Sequence, residues 1–437
     1  MTVLLSLVAA LLWFDYYIAA IFVFIGSYIL NELLWTDYIR YNRRIDHCLK
    51  CSDASRVAIQ LSNNSFQCSE IIDQEDVSVL LEITGKATIL GYLFDPYIEI
   101  VCEKKPIKQY FERGFEGKRY INISHCIAEK KTIQLRVRHC LLIEKNAHLL
   151  INKNPDLTNK RLLILAPHPD DAEIAAFGLC RAYDSTIITV TAGESEPGQS
   201  LQQHVGSEAT ALIGRLRAWD SIAVPQWSGI KPEKCIQLGY SDGTLKQMYK
   251  QPDLAIDAIN KPLFRQFNRI SLASDGDKTA DWRRLTQDVS ALISKWQPDI
   301  IVTPHPAIDA HSDHQLTTEV VKQAVNTLQG LNINFLYYVN HLDNTDRWPF
   351  GVHQSLVAPP PGQYELKSFF SFKLSEQEQI DKACSLEMMH DLRKYLTVKK
   401  QIRYKLQALF LGRKPHPLGH DPYFRKSVRA NELFFIE

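Results

Sequence analysis

The sequence predicts an α/β protein: a mainly parallel sheet with helices on both faces, preceded by a small antiparallel β-sandwich and an apolar membrane anchor. Three observations predict it. The first 35 residues are overwhelmingly apolar, residues 55–155 carry closely spaced runs of alternating pattern, and from residue 160 strand-like apolar runs alternate with amphipathic helix-like ones. At 437 residues and 45% apolar the chain is long enough for two or three cores. Its net charge of +1 excludes a bulk attraction to nucleic acid, so any partner must be selected locally.

The stretch Tyr16–Asn31 carries no charge and, extended through Leu33, Leu34 and Trp35, is long enough to cross a bilayer. No basic start and no small-residue cleavage site accompany it, so it reads as a retained anchor. Arg40, Arg43 and Arg44 follow it at once, which points the rest of the chain toward the cytoplasm, at an inner membrane if the source is bacterial. Asp15 sits badly in one spanning helix and leaves open a re-entrant pair of short segments. Nine cysteines, an odd number spread along the chain, suit reduced thiols better than a disulfide framework. Cys48 and Cys51 form a CxxC with no second half to complete a zinc ribbon.

RVAIQL, VSVLLEIT, ATILGYL, YIEIVCE, RYINIS, TIQLRVR and HLLIN alternate apolar with polar residues, as the strands of a sandwich do. Tyr110, Phe111, Phe115 and Tyr120 lie near its middle. They offer a sugar-stacking surface, although aromatics in a sandwich more often form its core. Beyond the polar link 152–159, RLLILAP, STIITVTAG, KCIQLG, DIIVTPHP and INFLYYV read as strands with helices between them. Residues 375–409 read as helical and NELFFIE closes the chain.

In an open α/β sheet ligands bind beyond the carboxyl ends of the strands. Two such ends are crowded with metal-ligand side chains. PHPDDAE supplies His168, Asp170, Asp171 and Glu173, and PHPAIDAHSDH supplies His305, Asp309, His311, Asp313 and His314. Either cluster alone has a plain explanation, as a helix N-cap or a solvated loop histidine. Two clusters at equivalent strand ends can converge, however, and imidazole with carboxylate suits a catalytic divalent metal. Such a site polarises water and an amide carbonyl while a free carboxylate takes the proton from water. The doubled aspartate provides one carboxylate for each task.

These elements, with TAGE (Thr191–Glu194) and LGYSDGTL between them, resemble the PIG-L/LmbE-type N-acetylglucosaminide deacetylases over roughly Lys160–Asn340. The resemblance implies a Rossmann-like sheet and zinc, or another divalent metal, held by His168, Asp171 and His314. It also implies Asp170 as general base and His311 as the group that stabilises or protonates the tetrahedral intermediate, with Asp313 or Asp309 orienting it. Asp242, Glu194 and Arg217 fall where the family contacts substrate, although Asp242 also fits a plain Asp-Gly turn. Two departures stand out: Ala172 separates the aspartates from Glu173, and Arg217-Ala-Trp-Asp220 replaces the usual Arg-x-x-Glu. His305 reads as structural.

The expected organisation is therefore an anchor with a basic flank (1–45), a β-sandwich and candidate carbohydrate-binding module (46–155), and a zinc-dependent deacetylase domain with a C-terminal helical region (156–437). The expected substrate is an N-acetylated sugar of GlcNAc type, which anchoring suggests is lipid-linked. The alternatives are an amidase on a non-sugar acetamide and an inactive glycan-binding scaffold. The first strand-to-helix turn is not glycine-rich, which argues against a nucleotide site.

Overall fold

The computed structural model describes residues 13, 16–35, 39–67, 76–102, 105–129, 132–195, 205–390, 392, 397–412 and 422–437. Asp15, and with it the re-entrant alternative, lies outside them. Helix α1 (Tyr17–Leu34) is the described helix long and apolar enough to cross a membrane, and nearly all its side chains face outward.

Strands β1 (Cys48–Cys51), β2 (Ser55–Gln60), β3 (Ser65–Gln67), β4 (Val77–Ala87), β5 (Tyr97–Val101), β6 (Ile107–Tyr110), β7 (Glu116–Asn122), β8 (Thr132–Arg138), β9 (Cys140–Leu142) and β10 (Asn146–Lys153) follow. All but β1 form two antiparallel sheets, one ordered β2-β10-β4-β7 with β9 on β4, the other β3-β8-β5-β6. Ile83, Ile121 and Leu149 of the first share one core with Ile98, Ile133 and Leu135 of the second. Alternation decides this, because every second side chain of a strand faces the same way. Phe111 and Phe115 belong to that core, and Tyr110 and Tyr120 are also buried, so these four form no exposed stacking platform.

Within this region Cys102 and Cys126 are joined as a disulfide, against the expectation of reduced thiols throughout. Cys48 and Cys51 are free. Three residues apart on strand β1, they point to opposite faces and cannot chelate together.

The second half begins with β11 (Arg161–Ala166), α2 (Asp171–Ala182), β12 (Asp184–Thr191), α3 (Ala209–Ala223) and β13 (Cys235–Tyr240). It continues with α4 (Trp282–Trp296), β14 (Ile300–Pro304), α5 (Ser312–Thr327) and β15 (Asn334–Tyr338). Then come β16 (Gln363–Leu366), β17 (Ser368–Lys373), α6 (Glu376–Met388), α7 (Val398–Leu411) and β18 (Asn431–Ile436). Strand β11 is buried on both faces: Leu163 and Leu165 pack with Leu285 and Val289 of α4, whereas Leu162 and Ile164 pack with Ala176 and Leu179 of α2. A strand covered on both sides needs an unbroken apolar run, and RLLILA supplies it. Helix α4 buries Leu285, Val289, Leu292 and Ile293, one helical stripe, behind an Asp281 N-cap that accepts from Arg284 N.

The sheet is ordered β13-β12-β11-β14-β15-β18-β17. Strands β11 to β15 are mutually parallel, but β18 runs antiparallel to both β15 and β17. The sheet is therefore mixed, parallel over β11 to β15 and antiparallel where β18 pairs, a pairing that was not expected. The reason is that β18 pairs with β17 from nearly sixty residues downstream, a non-local pairing that local patterning cannot reveal. β16 pairs in parallel with β1, so the start of the described β-rich region is sewn to the far end of the chain. Buried polar bonds complete the junction: Ser371 N donates to Ser78 Oγ (2.7 Å), and Asn152 Nδ2 to the Phe369 carbonyl (2.8 Å).

His125 lies at this junction, its Nε2 2.9 Å from the Ala430 carbonyl oxygen. Burial and the Lys373 charge push its pKa from 6.5 down to about 4. Between those values the unfolded chain binds the proton that the folded one refuses, so stability is full above about 6.5 and declines as pH falls toward 4. We expect His125→Gln to flatten that part of the slope in urea unfolding measured against pH. An unchanged slope would remove His125 from the acid sensitivity.

Candidate metal centre

The chain passes from β11 to β12 and β13 on one side, and then to β14 on the other side of β11. β11 and β14 are thus the neighbours between which strand order reverses, and the loops leaving their carboxyl ends diverge to open a crevice. Both histidine-aspartate clusters leave from these two ends.

At the first end the backbone turns sharply. Asp170 has φ 122° and ψ −28°, a conformation that side-chain-bearing residues rarely adopt. The strain is held from three sides: Ile174 N donates to the Asp170 carbonyl (2.9 Å), Arg217 Nη2 donates to the Pro169 carbonyl (2.9 Å), and Asp171 Oδ2 accepts from His168 N (2.9 Å). The turn folds His168 back over Asp171, which opens α2. Asp170 stands beside them with Oδ2 3.6 Å from Arg217 Nη2.

At the second end His311 caps α5 by accepting from Asp313 N at 3.3 Å. The first turn of that helix places His314 against Asp171. Asp171 Oδ2 lies 3.2 Å from His168 Nδ1 and 3.2 Å from His314 Nε2, so both imidazoles converge on one carboxylate oxygen. On its far side His314 Nδ1 faces Asp309 Oδ2 at 3.2 Å. His168 Nε2 faces Asp242 Oδ1 at 3.1 Å and Asp313 Oδ2 at 3.7 Å. The His311 ring stands edge-on to His168, with centroids 4.9 Å apart.

The charges in the crevice shift its histidines in opposite directions. Burial disfavours protonated His314, yet the charges of Asp171 and Asp309 overcome it and lift the imidazole to about 10. Burial likewise opposes His168, and hydrogen bonds to Asp171, Asp242 and Asp313 raise it well above its ordinary range. His311 goes the other way, lowered by burial and by the positive charge of its two neighbours. Buried carboxylates in excess recruit positive charge wherever they can. Both ring nitrogens of His314 and Asp313 Oδ1 are buried without a hydrogen bond, although they face opposite charges or the crevice. Three groups, His168–His311–His314, Asp171–His314–His341 and His168–Asp242–Asp313, each bring imidazole nitrogens or carboxylate oxygens close enough together to fit a divalent metal.

The structure brings His168, Asp170, Asp171, Asp242, Asp309, His311, Asp313 and His314 to one crevice but changes several expected contacts. Asp313 or Asp309 was expected to orient the His311 ring; Asp309 backs His314 and accepts from Asn340 N and His311 N, and Asp313 accepts from Gly243 N (2.8 Å). Asp242 turns inward to His168 and to the Ser195 hydroxyl (2.5 Å), and its own amide is held by Glu194. Arg217 clasps the Gly193 and Pro169 carbonyls, bridging the loops after β12 and β11. Asp220 accepts from His390 N and sits 2.6 Å from His390 Nδ1, tying the C-terminal region to α3. Glu173 is buried beneath the turn, its carboxyl pushed up to about 7 chiefly by desolvation. His305 accepts from Ala307 N and Ile308 N and shapes its loop.

Sequence reasoning missed Asn340 and His341. Asn340 Nδ2 donates to Asp171 Oδ1 (2.7 Å), and the His341 ring lies 4.8 Å from that of His314. Both follow directly after β15, so the rule that sends ligands to strand carboxyl ends would have found them in LYYVNH.

Residues 163–325 match the family model for PIG-L, GlcNAc-PI de-N-acetylase. That segment is thus similar to the PIG-L family, and the match supports a hydrolase of the de-N-acetylase class. No functionally curated protein matches it. Among solved structures, the A40926 pseudoaglycone deacetylase Dbv21 is 16% identical with TM-score 0.36, over 64% of this chain and 97% of that one. The N,N'-diacetylchitobiose deacetylase of Pyrococcus horikoshii has the same identity and TM-score over 64% and 87%. The 4-carboxy-2-hydroxymuconate hydratase GalB of Pseudomonas putida is 12% identical with TM-score 0.32, over 58% and 85%. Overlaps this loose bear on neither activity nor substrate.

Asp309→Asn would replace the charge that backs His314 while keeping its shape. We expect metal affinity to fall by about 10- to 100-fold, read by competition with a chromophoric chelator. An unchanged affinity would mean that Asp309 serves the loop alone.

Proposed function

We propose that this protein hydrolyses the N-acetyl group of a GlcNAc-type sugar carried on a lipid, at a zinc centre held by His168, Asp171 and His314. The observation that carries the proposal is the convergence of both imidazoles on the one Asp171 oxygen, at the reversal of strand order, with Asp170 alongside. A divalent cation there supplies Lewis acidity toward an amide carbonyl and the attacking water. Asp170, kept near the Arg217 guanidinium, accepts the proton of that water. His311 meets the negative charge that develops on the carbonyl oxygen and protonates the departing nitrogen, so that the C–N bond breaks to acetate and a free amine. Asp313 sits behind this pair, one oxygen near His168.

Asp242, Glu194 and Arg217 rim the crevice and are the proposed substrate contacts. Asp242 exchanges its contact with His168 for sugar hydroxyls once a metal takes that histidine's charge-neutralising role. Lipid linkage is supported by α1, which would hold the enzyme where a lipid-borne sugar is concentrated. The Cys102–Cys126 disulfide is the chemistry of an oxidising compartment and removes the thiol argument for a cytoplasmic catalytic half. That placement then rests on Arg40, Arg43 and Arg44 alone.

The test is metal content together with acetate release on the purified full chain, offered N-acetylglucosamine conjugates with and without a lipid tail. We expect Asp170→Asn to keep its metal and lose turnover by about 10²- to 10⁴-fold, whereas His314→Ala loses both. Equal metal loss in the two variants would overturn the assignment of base and ligand. Metal without acetate from any sugar conjugate would favour a non-sugar amide.

A further inference from the structure

Helix α7 has no part in the crevice, yet it is the element that holds the end of α1. Arg403 Nε donates to Glu32 Oε2 at 2.5 Å, with Lys399 Nζ 3.7 Å from the other oxygen, and Glu32 is wholly buried between the helices. Gln407 Nε2 donates to the Glu32 and Trp35 carbonyls at 2.9 and 3.0 Å, satisfying oxygens that the end of α1 would otherwise leave open. The Arg403 guanidinium lies over the Trp35 ring at 4.1 Å. A tryptophan and an arginine at the end of an apolar helix mark the headgroup level of a bilayer.

The remaining faces of α7 are unusual for a soluble helix. Val398, Ile402 and Leu409 recur at helical spacing on one stripe and are 72%, 41% and 76% exposed, with Phe410 at its margin. On the helical wheel this stripe adjoins the side that touches α1, so it continues the outward-facing apolar surface of that helix. Lys400 and Lys405 are exposed, and from Val398 to Leu411 the helix carries four basic residues and no acidic one. An apolar stripe flanked by lysines that carry long aliphatic stems suits a helix lying in the plane of an anionic lipid surface.

We propose that α7 is such an in-plane helix, seated in the headgroup layer beside α1 and fixing the height and tilt of the catalytic half above the bilayer. This rests on reading α1 as a membrane anchor. The occupant of the stripe is lipid, favoured by its continuity with α1 and by the uncompensated lysines. Glu32, buried and paired with Arg403, acts as the pin that keeps the two helices together.

The test uses the full chain reconstituted in phosphatidylcholine vesicles with and without phosphatidylglycerol. Benzoylphenylalanine is placed in turn at Leu409, at Phe24 of α1, and at the exposed Ile259 of the catalytic half. After illumination, lipid adducts are read by mass spectrometry. We expect adducts at Phe24 and at Leu409, the latter about tenfold above Ile259. In anionic vesicles Lys400→Gln with Lys405→Gln should lower the Leu409 yield by about an order of magnitude. Adducts at Phe24 without adducts at Leu409 would overturn the proposal and leave the anchor standing. Protein adducts at Leu409 in place of lipid would assign the stripe to a protein partner, and absence of lipid adducts at both positions would overturn the anchor as well.

Discussion

Carboxylates buried without a cation are among the costliest groups in a protein interior, and the crevice between β11 and β14 gathers several. Asp171, Asp309 and Asp313 are nearly or fully excluded from water, and each is held by backbone or side-chain donors that spend part of its charge. What those donors leave over falls on His168 and His314. The strained turn at Asp170, the histidine cap of α5 and the Arg217 clasp all serve to keep these groups from moving apart. The proposed metal site is thus pre-organised by its surroundings.

The β-rich half depends on the same rigidity. Its two sheets share a core of their own, but it is also joined to the α/β sheet through β1–β16 pairing and through Ser78, Asn122 and Asn152. Those bonds fall on the antiparallel edge of the α/β sheet, near β17 and β18. The loop after β15, which carries Asn340 and His341, lies between that edge and the histidine-aspartate cluster. The β-rich half therefore braces the strand from which two crevice residues depart.

Much of this was legible locally. Runs buried on both faces marked β11 and β14 as central strands, and the clusters after them identified the crevice because strand ends open toward ligands. Tyr110, Phe111, Phe115 and Tyr120 are buried, as aromatics in a sandwich most often are. What escaped were the features made by pairing across long separations: β16 with β1, β18 with β17, and the Cys102–Cys126 bridge. Odd cysteine number and dispersed spacing carry no information about which two thiols meet.

By itself, then, the sequence determined the chemistry of the side chains, the order of strands and helices, and the two clusters that must act together, because each of these is written in local pattern and spacing. Only the tertiary structure decided which carboxylate serves which histidine. Asp309 stands on the loop after β14 and Asp313 four residues on, in the first turn of α5, and nothing in that spacing sends one to His314 and the other to Gly243. That choice is made by the angle at which α5 leaves β14 and by the neighbours β11 and β15, and both are consequences of packing.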